Sequence, residues 1–316
     1  MKSTKPTPKA HPGPPKGRDA IYTISRKDLA TKLQLIISIT ILMVTFSVST
    51  IKHQVTYSDV INIGLPVWEG LVRLLVCLFV CLLFPLSLSA QSDSLKQEIE
   101  AYKKAPKFVK KGMPPLPDAS CFLPAPPGDN DARFASDSCM YEWGKTYRGT
   151  LRADTAIADA GYAISYFLKR FSSAINQNLT PETHPQLTQL LLSAMNSGNN
   201  SIQKAKKRFA RHRPYHHFGE GTPIPHDEYP DDFTSYPSGH AVRAWMAAMT
   251  LTAVSPEHAD AIMKIGYEIG QSRVILGFHY QSDVDAARLA ASATFARLCA
   301  EKKFHKAIEN AKKELK

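Results

Sequence analysis

The stretch Ser235-Tyr236-Pro237-Ser238-Gly239-His240, running straight into Ala241-Val-Arg-Ala-Trp-Met-Ala-Ala-Met-Thr-Leu-Thr-Ala-Val254, decides how the rest of the chain is read. Pro, Ser and Gly make a turn, and the Ala-rich residues after them favour a helix over a strand. The first N–H groups of a helix have no intrahelical acceptor, so such a turn offers free backbone donors and the Ser238 hydroxyl to an anion. His240 stands beside that point and can give or take a proton near neutral pH. Taken alone, a capped helix with an incidental histidine accounts for these residues equally well.

Two further segments bear on the same chemistry. Upstream, Lys206-Lys-Arg-Phe-Ala-Arg-His-Arg213-Pro214 sets Lys206 and Arg213 seven residues apart. Two helical turns predict both side chains on one helix face, a Lys point charge beside an Arg fork that holds two phosphate oxygens at once. Lys204, Lys207, Arg208 and Arg211 add four cations, so a solvated basic face or a nucleic-acid patch reads from the same residues. Downstream, Ser272-Arg273-Val-Ile-Leu-Gly-Phe-His279-Tyr-Gln-Ser-Asp283 spaces a histidine and a carboxylate by four. In a helix, that spacing brings Asp283 to the imidazole, fixing its tautomer and leaving the other ring nitrogen nucleophilic. An ordinary helix ion pair is the simpler alternative.

Around these segments the pattern is helical. Leu187, Leu190, Leu191 and Ala194 recur at three and four, as do Ala307, Ile308, Ala311 and Leu315. Ala153 to Phe171, Ala241 to Val254 and Asp283 to Cys299 are Ala-rich with similar faces, and no strand-like alternation bounded by hairpin turns competes with them. The fold class is therefore all-α, a bundle of roughly seven to nine helices at typical lengths near 12 residues. Residues 91–135 are rich in Lys, Pro and Asp, and Pro114, Pro115, Pro117, Pro124, Pro126 and Pro127 break any regular element there, which predicts an extended arm before a helical domain over 136–316.

Of 316 residues, 44% are hydrophobic and 21% charged, values that exclude a disordered, collagenous or all-membrane protein. The net charge of +11 points to an anionic partner, but +6 of it lies in residues 1–32, a Pro/Lys-rich head that reads as disordered. Residues 33–90 carry two apolar stretches. Leu33 to Ile51 has 19 uncharged residues, enough to span a bilayer, and Leu74 to Ala90 has 17, preceded by Arg73 and ending in small residues. The second reads as a signal peptide, which predicts export and a natural start downstream of Met1, near residues 65–72; two spanning helices would instead return the domain to the cytoplasm. Cys77 and Cys81 fall inside that stretch; Cys121 and Cys139 could pair, leaving Cys299 as a buried thiol. No CxxC spacing exists, and neither His216-His217 nor His226-Asp227-Glu228 offers a ready ligand geometry, so no metal is expected.

Taken together, Lys-x6-Arg-Pro, Pro-Ser-Gly-His and Ser-Arg-x5-His-x3-Asp resemble the PAP2 (type 2 phosphatidic acid phosphatase) superfamily, which also contains the vanadium haloperoxidases. Phe122-Leu-Pro-Ala-Pro-Pro127, Tyr141-Glu-Trp-Gly144 and the run from Gly270 to Arg288 narrow the likeness to bacterial class A non-specific acid phosphatases, over roughly residues 115–315. That resemblance implies a single helical bundle of the PAP2/vanadium haloperoxidase type, periplasmic and homo-oligomeric, hydrolysing small phosphate monoesters with no cofactor, metal or nucleic acid. It implies a phosphohistidine on His279 oriented by Asp283, with His240 as general acid and base, and Lys206, Arg213, Ser238, Gly239 and Arg273 holding the phosphoryl oxygens. Thr234 and Ala241 depart from the usual Gly-Ser-Tyr-Pro-Ser-Gly-His-Thr, which bears on substrate preference or rate. The alternatives are a lipid phosphate phosphatase at the membrane, which requires an uncleaved leader, a vanadate-binding haloperoxidase, and a nucleic-acid-binding protein using Lys204 to Arg213.

Overall fold

The computed structural model describes residues 100–101, 104–109, 115–229 and 232–315. The expectations for the head, both apolar stretches, Cys77 and Cys81 fall outside these residues. Among the described residues there is no strand, and eleven α-helices follow one another: α1 Ala119–Phe122, α2 Phe134–Lys145, α3 Leu151–Ala158, α4 Ile164–Ile175, α5 Pro185–Ser201, α6 Gln203–Phe209, α7 Pro214–Phe218, α8 Gly239–Val254, α9 Ala259–Ile275, α10 Gln281–Cys299 and α11 Lys302–Lys312. The protein is all-α. The helix count exceeds the expected range because α1 and α7 are single turns of four and five residues. None of the described helices is long and apolar enough to cross a membrane.

Helix α8 is the central one and packs against α9, α5 and α10. Its Ala241, Val242, Ala244, Met246, Ala247, Ala248 and Leu251 are all buried, the signature of a helix surrounded on most sides. Small side chains let the neighbours come close. A Cβ on Gly266 of α9 would stand 2.5 Å from the Ala248 Cβ, a distance no real pair of carbons tolerates. The Leu187, Leu190, Leu191 and Ala194 stripe lies buried on α5, and α11 shows the opposite character, with only Phe304, Ile308 and Ala311 buried at amphipathic spacing.

Three local expectations are corrected. Helical structure starts at Phe134, two residues earlier than expected, and one helical turn, α1, does form inside the Pro-rich segment, capped by the Asp118 carboxylate accepting from Ser120 N at 3.0 Å. The stretch Ala153 to Phe171 is not one helix but two, since α3 ends at Ala158 and the backbone is extended at Ala163 before α4 begins. Cys121 and Cys139 are unpaired and exposed, and Cys299 is only half-buried.

Residues from the Pro-rich segment lie on the helices. Phe108 packs edge-on against Phe304 at 5.1 Å, Pro124 O accepts from the Tyr236 hydroxyl at 2.8 Å, and Pro127 O accepts from Arg211.

Candidate active site

The Ser-Tyr-Pro-Ser-Gly-His turn enters α8 as the sequence implies. Ser238 is the N-cap, its Oγ accepting from Ala241 N at 3.4 Å, and because that bond uses the oxygen's lone pair the hydroxyl proton stays available to donate. Ser238 N donates to Asp283 O at 3.1 Å, which ties this turn to the start of α10. Gly239 opens the helix with its Cα so placed that a Cβ would meet Lys206 Cε at 4.0 Å.

Lys206 and Arg213 are brought together, but not by one helix. The last turn of α6 ends where Ala210 adopts a left-handed backbone with φ 42°, and Arg213 is an extended residue ahead of α7. They converge instead on Thr234: Lys206 Nζ donates to its carbonyl, and Arg213 Nη2 to its hydroxyl at 3.3 Å. Arg213 is further held by Asp232 through Nε and by Phe278 O at 2.9 Å through Nη1. Thr234, one of the two departures from the family pattern, also donates N–H and O–H to Asp232, bonds of which a glycine could supply only the first.

His279 also lies outside a helix, since α10 begins at Gln281. Gly277, with φ 77°, turns the chain back after α9, and the N–H groups of Phe278 and His279 both donate to Arg273 O. The His279 ring is 2% exposed. Arg213 Nη1 lies 3.0 Å from its Nε2; a guanidinium has no acceptor, so Nε2 carries the lone pair and Nδ1 the proton. Nδ1 faces Asp283 Oδ2 at 3.4 Å, longer than a well-formed hydrogen bond. Arg273 and Arg213 both lie over the Phe278 ring, at 4.6 and 6.0 Å.

His240, on the first turn of α8, turns its Nε2 to Ala160 O at 3.0 Å. A carbonyl only accepts, so Nε2 bears the hydrogen there and Nδ1 is the nitrogen left to exchange a proton. Burial first, then Arg273, hold its pKa well below the ordinary value, against the opposing Ala160 hydrogen bond. Burial, Arg213, Lys206 and Arg273 do the same to His279. Lys206 falls to about 7, through burial and then the charge of Arg213. Burial would raise Asp232, but Arg213 and Thr234 outweigh it and hold the carboxyl at about 2.

The basic run around Lys206 does not form a single face. Lys204 pairs with Asp118 at 2.8 Å, Arg208 donates to Ser120 O, and Arg211 turns inward. Arg211 is the functional residue that sequence reasoning missed. Its guanidinium stacks on Tyr280 at 3.7 Å and joins two buried carboxylates, Asp283 at 2.7 Å and Asp137 at 2.8 Å. Asp283 Oδ2 also accepts from Ser235 Oγ at 2.6 Å and Tyr280 N at 3.0 Å, so its orientation is fixed by three donors. The available signal was the Arg-x-Arg spacing itself, since residues two apart in an extended segment leave the same side, which puts Arg211 beside Arg213.

Among the described residues, no three His, Cys, Asp or Glu side chains converge as metal ligands. His216 stacks on His212 at 4.3 Å, and Glu228 accepts from Thr222 N at 2.6 Å. A cavity of about 460 Å³ lies between Leu123–Pro127 and α10, and none of the eight candidate site residues lines it.

A cluster of cations around a buried imidazole, beside a helix N-terminus and a second imidazole, makes this the candidate phosphoryl-binding site of an all-α scaffold. Residues 186–304, which include all eight candidates, match the PAP2 superfamily. The chain is 38% identical to a non-specific acid phosphatase of Providencia stuartii over 201 residues, which cover 62% of this chain and 80% of that protein. It is 35% identical to one of Salmonella typhi, over 61% of this chain and 78% of that protein, and 30% identical to an acid phosphatase of Zymomonas mobilis, over 63% and 75%. The chain belongs to the PAP2 superfamily.

Proposed function

We propose that this chain is an acid phosphatase that hydrolyses phosphate monoesters through a phosphohistidine on His279. The observation that carries the reading is the His279 tautomer, with the Nε2 lone pair facing Arg213 and the Nδ1 proton facing Asp283. Nε2 attacks phosphorus in line as the bond to the leaving alcohol breaks. Lys206, Arg213, Arg273, the Ser238 hydroxyl and the Gly239 N–H receive the equatorial oxygens, where transition-state charge collects. His240 gives its Nδ1 proton to the departing oxygen. It then takes one from the water that cleaves the P–N bond, so phosphate leaves and both rings return to their starting states.

The shifts fit work in acid. His279 has its pKa held well below the ordinary value and stays unprotonated in mild acid, where a free imidazole would be charged. His240 is pushed down by the same cations in the empty pocket, and an arriving phosphate dianion offsets them and allows it to take up a proton. Relatives that are non-specific acid phosphatases support broad specificity; the apolar stretch Leu74 to Ala90 supports export to the periplasm, and the resemblance supports a homo-oligomer. Incubation with a radiolabelled phosphate monoester and an alkaline quench tests the mechanism. Label is expected on the parent protein and absent from His279→Ala. If that variant kept more than a few per cent of turnover on p-nitrophenyl phosphate, the nucleophile would lie elsewhere.

A further inference from the structure

Tyr162 is 44% exposed, yet its ring is held by two neighbours beside the site. One face lies against the guanidinium of Arg243, 3.9 Å from the ring, and Arg243 is itself 2% exposed and donates to Tyr162 O at 2.9 Å. The segment that carries it is anchored from below. Asp159, fully buried, accepts from the hydroxyls of Tyr166 and Ser272 and from Arg170 Nε at 3.1 Å, and a Cβ on Gly161 would stand 2.9 Å from the Tyr166 ring. Ala160, between these points, is the residue whose carbonyl holds His240. Tyr162 in turn meets the His240 ring edge to face, with centroids 4.9 Å apart and planes at 76°.

From this arrangement we propose that Tyr162 is the wall of a leaving-group subsite that favours aromatic alcohols over aliphatic ones. The inference rests on the phosphatase reading, because it takes the departing oxygen to lie within hydrogen-bond reach of His240 Nδ1. A ring bonded to that oxygen then comes within about 4.5–7 Å of the exposed part of the Tyr162 ring, the range in which aromatic pairs attract. The opposite face is occupied by Arg243, so the ring needs no reorganisation to receive a second one. An aliphatic polyol at the same oxygen finds no comparable partner. The buried anchor makes Tyr162 a specificity residue rather than a mobile cover.

The test compares phenyl phosphate with glycerol 2-phosphate on the full chain and reads the ratio of their kcat/KM values, which general loss of folded protein leaves unchanged. Tyr162→Leu, which keeps apolar bulk without a ring, is expected to lower that ratio about 3- to 10-fold. Tyr162→Phe should keep it within about twofold, since only the hydroxyl is removed. A nucleoside 5′-monophosphate, with its ring one sugar further out, should show a smaller fall in Tyr162→Leu. If the two kcat/KM values drop in parallel, or Tyr162→Phe lowers the ratio as much as Tyr162→Leu, the ring is only a support for Arg243 and the subsite is overturned. Failure of the parent protein to hydrolyse either ester would overturn the phosphatase reading as well.

Discussion

The two histidines of the site are held in opposite ways. His279 is buried and wedged between charges, with Arg213 on one ring nitrogen and Asp283 facing the other. His240 is half-buried and rests on a neutral backbone carbonyl. A nucleophile gains from a fixed tautomer that no pH change in the working range alters. A group that gives and then takes a proton gains from a neutral anchor, which favours its charged form too little to lock it. The supports differ in kind as well. Arg211, Asp137 and Ser282 stand behind Asp283, whereas Asp159 and Ser272 stand behind the backbone that carries Ala160.

The largest expected effect that separates the two comes from His240→Ala. The kcat/KM for glycerol 2-phosphate, which reports phosphoryl transfer to His279, should fall by roughly 10²–10⁴, the usual contribution of a positioned acid, while that for p-nitrophenyl phosphate, whose leaving group departs without a proton, should lose far less. Equal losses on both esters, measured as kcat/KM, would mean that His240 does more in the first step than protonate the leaving group.

Next comes Arg211→Met. It leaves Asp283 and Asp137 buried without their shared cation, which should cost about 3–5 kcal/mol of stability. For a helical domain of this size that is a drop in melting temperature of roughly 6–20 °C. A variant that melts with the parent would show that Ser235, Ser282 and backbone donors suffice to hold the carboxylates, and the contrast between a charged and a neutral support would lose its force.

The smallest is a pH effect on binding. Lys206, lowered to about 7, is charged in acid and loses its proton as pH rises through that value, which removes one of three cations from the pocket. KM for phosphate monoesters should therefore rise several-fold between pH 6 and 9, on the order of the value of one phosphate contact. Lys206→Arg, which stays charged, should flatten that rise. A KM that climbs equally in this variant would assign the alkaline limb to His240 alone.

Much of this was legible in the chain. The Ala-rich runs and the absence of strand-like alternation predicted an all-α protein, and the stripe at Leu187, Leu190, Leu191 and Ala194 is the buried face of α5. The eight candidate residues were read from three short segments because phosphate chemistry restricts both residue type and order. Less legible were the local conformations. Helical spacing suggested that Lys206 and Arg213 share one face and that His279 and Asp283 share one turn, yet Ala210 and Gly277 break both helices with positive φ. An alanine in a left-handed conformation leaves no trace in a pattern of apolar residues, since its cost is met by contacts distant in sequence.

Residue chemistry at fixed spacing determined the class of reaction, because few side chains bind and transfer a phosphoryl group and their identities are written in the chain. Only the tertiary structure decided which nitrogen of each histidine is free, why Arg211 turns inward while Lys204 meets Asp118 at the surface, and where Tyr162 stands relative to His240. Those facts depend on a carbonyl, two carboxylates and a guanidinium that lie 72 to 81 residues away along the chain and meet only when the helices pack.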